Sequence, residues 1–175
     1  MIANATSGLS SSATAMARLR ATIGEQDRGA WDDALIEEGH RLVRERLDAG
    51  DAPGRYQLLA AINAVHTYAR DARDTDWSQV VALYDQLVRL DPSPIVALNR
   101  AVAVAELESP DVALAIIDRL GGALDGYHAF HATRAELLRR LGRRVESRTA
   151  YERAIALAGN TAETAYLSRR RDELG

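Results

Sequence analysis

The sequence predicts an all-α protein of about eight helices, stacked as hairpins in an α-solenoid. Ala, Leu, Arg and Glu dominate the 175 residues, which include one Phe and two Trp. Such a composition favours helices over strands. Apolar residues recur at three- and four-residue spacing along most of the chain, which is the period of a helix with one buried face. Part of this pattern repeats at a fixed interval, as a stack of equivalent hairpins requires.

The overall composition narrows the classes of protein that the chain fits. A run of about eighteen apolar residues, long enough to span a bilayer, does not occur, and the Ser-rich start lacks the layout of a secretory signal. We therefore expect a cytoplasmic protein. The absence of cysteine excludes disulfides, thiolate metal sites and cysteine nucleophiles. The net charge of −3 does not indicate nucleic-acid binding.

The helices can be placed in chain order by their apolar stripes and turn residues. Residues 1–25 show no sustained period, so we expect a flexible lead or linker remnant before one helical domain over residues 26–175. The stripe of the first helix contains Trp31, Leu35, Ile36, Leu42, Val43 and Leu47. The following helices are expected at about 55–70, 77–90, 94–107, 110–121, 127–141, 144–158 and 161–173. Thr75 or Asp76 is the expected N-cap of the third helix.

Internal similarity defines the repeating unit. A shift of 34 residues, the length of a TPR unit, aligns seven pairs: Arg100 with Arg134, Ala101 with Ala135, Val104 with Leu138, Leu107 with Leu141, Ala113 with Ser147, Ile117 with Tyr151 and Leu120 with Ala154. Two helices of a hairpin approach closely only where one side chain is small. The alanines at 101, 135 and 154 meet this need, and a looser copy is expected over 55–93. The sequence therefore predicts TPR-like hairpins.

Motifs for catalysis are missing from the sequence. It has no Gly-rich phosphate loop, GxSxG elbow, HExxH pair or EF-hand loop. His128 and His131 lie three residues apart on an expected helix and could be two metal ligands, but only Asp125 is nearby as a third. We interpret the pair as structural or surface residues. We expect no enzyme activity, no cofactor and no metal site, which disfavours a small hydrolase or metal-binding enzyme.

Other residues admit two interpretations each. The arginines at 139, 140, 143, 144 and 169–171 could contact phosphates, but the glutamates and aspartates among them favour a salt-bridged, solvated face. The rings of Trp31, Trp77, Tyr84 and Tyr151 fall on apolar stripes, which favours core packing over ligand contact. Asn99 and Arg100 interrupt an apolar helix. Arg100 and its counterpart Arg134 either line a concave groove that holds a peptide, or form internal ion pairs between neighbouring hairpins.

Five stretches together resemble the C-terminal extension of a group of extracytoplasmic-function (ECF) RNA polymerase sigma factors. They are EQDRGAWDDALIEEG (25–39), PGRYQLLAAINAVH (53–66), DTDWSQVVALYDQLVRLDPSPIVALNRAVAVAE (74–106), GYHAFHATRAELLRRLGR (126–143) and AYERAIALAGNTAETAYLSRR (150–170). In that group, the TPR-like segment follows sigma regions 2 and 4, which bind core polymerase and the promoter. Residues 1–25 are too few for either region. The resemblance therefore implies an excised, non-catalytic domain that modulates its parent sigma factor in transcription initiation.

The resemblance also implies partners. These are the sigma regions of the parent, RNA polymerase or a small cytoplasmic regulator, with no direct DNA contact and no membrane. A homodimer is a further possibility, because the first helix is expected to expose apolar surface. The alternative function is a stand-alone TPR scaffold unrelated to transcription. The candidate partner-contact residues are polar or amphipathic positions on apolar helices or repeat-spaced ones: Tyr56, Gln57, His66, Asn99, Arg100, His128 and Arg134.

Overall fold

The computed structural model describes residues 32–48, 50, 52–69 and 74–175, and within these ranges the chain forms helices and no strands. Trp31 and the expected flexible lead lie outside the described residues. The described helices are α1 (Asp33–Asp48), α2 (Arg55–Tyr68), α3 (Trp77–Leu90), α4 (Pro94–Leu107), α5 (Pro110–Asp118), α6 (Gly121–Leu124), α7 (His128–Arg140), α8 (Arg144–Leu157) and α9 (Thr161–Asp172). The predicted all-α class is confirmed.

The predicted and observed helices differ mainly after α5. One helix was expected over 110–121, whereas α5 ends at Asp118 and a one-turn helix, α6, follows. The amides of Arg119 and Leu120 bond to carbonyls only three residues back, at Ile116 and Ile117. This tightened turn ends α5 and redirects the chain before Gly121.

Helix starts follow the capping rules. Of the two candidate N-caps of α3, Asp76 takes the role, because its carboxylate accepts a 3.0 Å hydrogen bond from the Gln79 amide. Ser93 caps α4 ahead of Pro94 at its first turn, and Asn160 caps α9. A short polar side chain that accepts an N-terminal amide stabilises a helix by about 1 kcal/mol.

The helices stack in chain order. α1 packs on α2, α2 on α3, α3 on α4, and α4 on α5; α5 then packs on α7, α7 on α8, and α8 on α9. Each element contacts its sequence neighbours, as in a quasi-one-dimensional repeat protein. Three hairpins result, α2/α3, α4/α5 and α7/α8, with α1 and α9 at the two ends.

The small residues predicted to set the hairpin spacing are fully buried. Ala101 in α4 and Ala135 in α7 are both 0% exposed, and both lie in the middle of the first helix of a hairpin. Ser147 in α8 donates a 2.8 Å hydrogen bond from its Oγ to the carbonyl of Ala135, which fixes how α7 and α8 cross. Gly142 adopts φ 73° in the turn between them, a conformation that favours glycine.

Helix α4 connects two hydrophobic clusters. The N-terminal cluster includes Leu58, Val80 and Leu87, together with Val104 of α4. The C-terminal cluster extends from α4 to the end of the chain. Because α4 contributes to both, the stack is continuous through it. None of the described helices has the length and apolar character needed to cross a membrane.

Candidate partner-binding surface

The predicted contact residues on α2 lie in three different settings. Tyr56 is 75% exposed at the start of the helix. Its neighbour Gln57 accepts a hydrogen bond from the Gly54 amide and so completes an N-terminal capping box. His66 is buried near the other end, with its ring edge-on to Trp77 at 5.3 Å between centroids. In this set, Tyr56 alone offers a large exposed surface to a partner.

Arg100 and Arg134 form equivalent ion pairs in successive repeats. The Arg100 Nε lies 2.6 Å from an Asp85 carboxylate oxygen, and the Arg134 Nε lies 2.9 Å from one of Asp118. In each case the first helix of a hairpin is tied to the second helix of the preceding one. The internal ion pair is therefore observed. The two arginine side chains remain 30% and 29% exposed, so a partner can still reach them.

Asn99 is buried and its Oδ1 has no hydrogen-bond partner. Thr133, one repeat of 34 residues further along, is also buried with an unpartnered Oγ1. A buried polar atom without a partner costs about 1–3 kcal/mol. Sequence reasoning missed Thr133, although the repeat interval that aligns Arg100 with Arg134 also aligns Asn99 with Thr133.

The two histidines of the α7 start turn to different partners. His131 Nε2 lies 2.7 Å from the carbonyl oxygen of Asp125. His128 Nε2 lies 3.6 Å from a carboxylate oxygen of Glu163 on α9. A group of three or more side chains able to hold a metal ion is not found in the part of the chain that the structure describes.

A row of ion pairs that the sequence analysis did not identify connects α4, α7 and α9. Arg140 bonds to Glu106 at 3.0 Å and to the carbonyl of Ala105 at 3.1 Å. Arg170 lies 3.2 Å from Glu136. Each of these pairs joins first-position helices of adjacent repeats, and its two members are 34 residues apart. Opposite charges at the repeat interval were the sequence signal for this row.

Glu136 is the centre of the row. Its carboxylate accepts hydrogen bonds from Arg139 at 2.6 and 2.9 Å, from Arg170 at 3.2 Å and from the Tyr151 hydroxyl at 3.1 Å. Burial alone would raise the pKa of Glu136, but the two arginines outweigh burial and hold that pKa below its usual value. Burial, with the neighbouring carboxylate, raises the pKa of Tyr151. The cluster joins α7, α8 and α9 electrostatically.

The arginine clusters pair mostly with nearby acids. Besides Arg139 and Arg140, Arg143 pairs with Glu146, and Arg171 with Asp172. The salt-bridged face predicted from the interleaved charges is therefore present. Tyr84 and Tyr151 are buried, as expected for core packing, and Trp77 packs at the edge of the N-terminal cluster.

A cleft of about 410 Å³ lies apart from the predicted contact residues. It is found where α2 ends and α3 begins, and is lined by Val65, Tyr68, Ala69, Asp74, Asp76 and Gln79. The Asp76 carboxylate is already engaged in capping α3.

Comparison with known proteins places this architecture. No protein-family model matches the chain. An uncharacterized protein of Rhizobium meliloti (strain 1021) is 45% identical over 152 residues, which are 87% of this chain and 36% of that protein. The chain thus spans about a third of the length of this relative. The first TPR domain of human RPAP3, solved by NMR, matches with a TM-score of 0.53 and 20% identity over 69% of this chain and 94% of that domain. The fold is therefore TPR-like, the class of stacked helical hairpins that the 34-residue interval predicts.

Proposed function

We propose that this chain is a non-catalytic, regulatory protein-interaction domain of a bacterial ECF sigma factor. The observation that carries the proposal is the TPR-like stack itself, in which α4 and α7 repeat the same buried alanines and the same arginine pairs. This fold provides a series of equivalent helix faces on which an extended or helical segment of another protein can lie. The five sequence stretches that resemble the sigma-factor extension supply the finer assignment.

The length of the Rhizobium relative is consistent with this role. Nearly two thirds of that protein lies outside the matched region, which leaves room for domains on which a regulatory extension would act. Sigma regions 2 and 4 are the domains that the resemblance implies. An assignment to transcription also implies a cytoplasmic location, where RNA polymerase acts.

The contact residues proposed from the sequence differ in how directly a partner can use them. Tyr56 presents its ring to solvent. Arg100 and Arg134 are partly exposed, and a partner carboxylate can compete with Asp85 and Asp118 for them. Contact through Gln57, His66, Asn99 or His128 requires a local rearrangement. Binding would shift the sigma regions between competent and silent arrangements, for which a differential affinity of a few kcal/mol is sufficient.

A binding measurement in vitro tests the proposal. The part of the Rhizobium protein outside the match is produced separately, and its affinity for this chain is measured by calorimetry, with and without core RNA polymerase. We expect micromolar or tighter binding, weakened at least tenfold by Tyr56→Ala combined with Arg100→Glu. Leu90→Ala serves as the control, since Leu90 is 56% exposed on the second helix of a different hairpin face. Absence of binding to both sigma regions and polymerase would favour the stand-alone scaffold.

A further inference from the structure

Helix α1 carries an apolar stripe that its neighbours leave uncovered. Leu35 is 71% exposed and Leu42 is 51% exposed. Gly39 lies between them, and a Cβ built on it would meet no atom within 4 Å. Residues 35, 39 and 42 are spaced by four and three positions, so they share one face of the helix.

The rest of the stack holds α1 by a different edge. His40 is buried, its Nε2 lies 2.7 Å from the Thr67 hydroxyl, and its ring stacks on Tyr68 at 3.6 Å. Arg44 donates a hydrogen bond to the Tyr68 hydroxyl. These contacts attach α1 to the C-terminal half of α2, so the leucine stripe is not part of the attachment.

The charges of α1 are divided between its two halves. Its first half contains three carboxylates and no basic residue, at Asp33, Glu37 and Glu38. Its second half contains three arginines and two acids, at Arg41, Arg44, Arg46, Glu45 and Asp48. A parallel neighbour of the same sequence would put like charges side by side, whereas an antiparallel one puts the acidic half beside the basic half. Antiparallel helix dipoles also attract each other.

We infer that the stripe binds a second copy of this chain, with the two α1 helices antiparallel about a twofold axis near Gly39. In this arrangement Leu35 of each copy faces Leu42 of the other, which makes the interface isologous. Gly39 lies almost midway between the two leucines. Since it has no side chain, the helices can approach closely where they cross. The inference does not depend on the role proposed in transcription.

Association of the full chain tests whether the stripe is the interface. Analytical ultracentrifugation over a concentration series should show a reversible monomer–dimer equilibrium. Leu42→Glu should weaken dimerisation at least tenfold, because it places a charge in the apolar contact. Val145→Glu is the matched control: Val145 is 81% exposed on α8, and its replacement should leave the equilibrium unchanged. Circular dichroism confirms that each variant remains helical. A wild-type chain that stays monomeric at high concentration overturns the inference.

Disulfide crosslinking tests the orientation, because the natural sequence has no cysteine. Leu35→Cys and Leu42→Cys are made separately, oxidised alone and oxidised as a mixture. The seven residues between them correspond to about 10 Å along a helix. An antiparallel pair therefore predicts rapid crosslinking in the mixture and slow crosslinking of either variant alone. Faster crosslinking of each variant with itself would mean a parallel pair and contradict the inference. So would no crosslinking at all, in which case another segment or protein occupies the stripe.

Discussion

Replacing Glu136 by glutamine should destabilise the protein far more than the same change at an exposed, equally spaced ion pair. Glu136 accepts hydrogen bonds from Arg139, Arg170 and Tyr151, and its side chain is 27% exposed. A hydrogen bond to a charged group contributes about 1.5–3 kcal/mol, and breaking up a partly buried cluster leaves its other members without a counter-charge. Since glutamine keeps the shape and part of the bonding, we expect Glu136→Gln to lower the unfolding free energy by about 2 kcal/mol.

The pH dependence of this effect has a definite sign. The pKa of Glu136 is lowered in the folded state, so its contribution is present above the unfolded-state pKa of about 4.3. That contribution is lost as the pH falls through the lower folded-state pKa. The stability difference between the wild type and Glu136→Gln should therefore be full at pH 7 and shrink progressively below about pH 4.

Urea unfolding followed by circular dichroism measures both effects. The control is Glu146→Gln, because Glu146 pairs with Arg143 at the same three-residue spacing as Glu136 with Arg139, but both side chains are nearly half exposed. Exposed pairs contribute little to stability, so this variant should unfold like the wild type. Equal losses for the two variants, or a loss at position 136 that is as large at pH 3 as at pH 7, would refute the reasoning.

Two further predictions concern buried polar atoms in α4, α7 and α8. Ser147→Ala removes the buried hydrogen bond to the Ala135 carbonyl and should lower the unfolding free energy by about 1 kcal/mol in urea titrations; no change would show that this bond does not hold the helix crossing. Asn99→Leu and Thr133→Val replace buried groups whose oxygens have no partner, so thermal unfolding should show unchanged or higher stability, by up to about 2 kcal/mol each. A marked loss of stability in either variant would mean that the oxygen is paired in solution.

The fold could be predicted from the sequence because its determinants are local and periodic. Ala101 and Ala135 mark the hairpins by their size and their 34-residue interval, and Gly142 marks a turn. The division of the fifth helix could not be predicted, since apolar spacing continues past Asp118. What ends α5 there is a change to three-residue hydrogen bonding, which leaves no trace in hydrophobic periodicity.

The candidate surface could be predicted only in part. The sequence indicated that Arg100 and Arg134 are equivalent but left two roles open, because the choice depends on whether a carboxylate of the preceding hairpin lies within reach. Asp85 and Asp118 do so. The Glu106–Arg140 and Glu136–Arg170 pairs were missed, since the clusters were compared with their neighbours along one helix. Comparison at the repeat interval, across helices, would have identified both.

The equivalence of successive hairpins can be tested with one set of unfolding measurements. Ala101→Leu and Ala135→Leu each add bulk at a fully buried helix crossing, and overpacking a close contact costs about 1–3 kcal/mol. Ala156→Leu adds the same bulk at an exposed position of α8 and should change stability by less than about 0.5 kcal/mol. Similar losses at positions 101 and 135 are the result expected for repeating hairpins. A loss at one of them and none at the other would contradict this architecture.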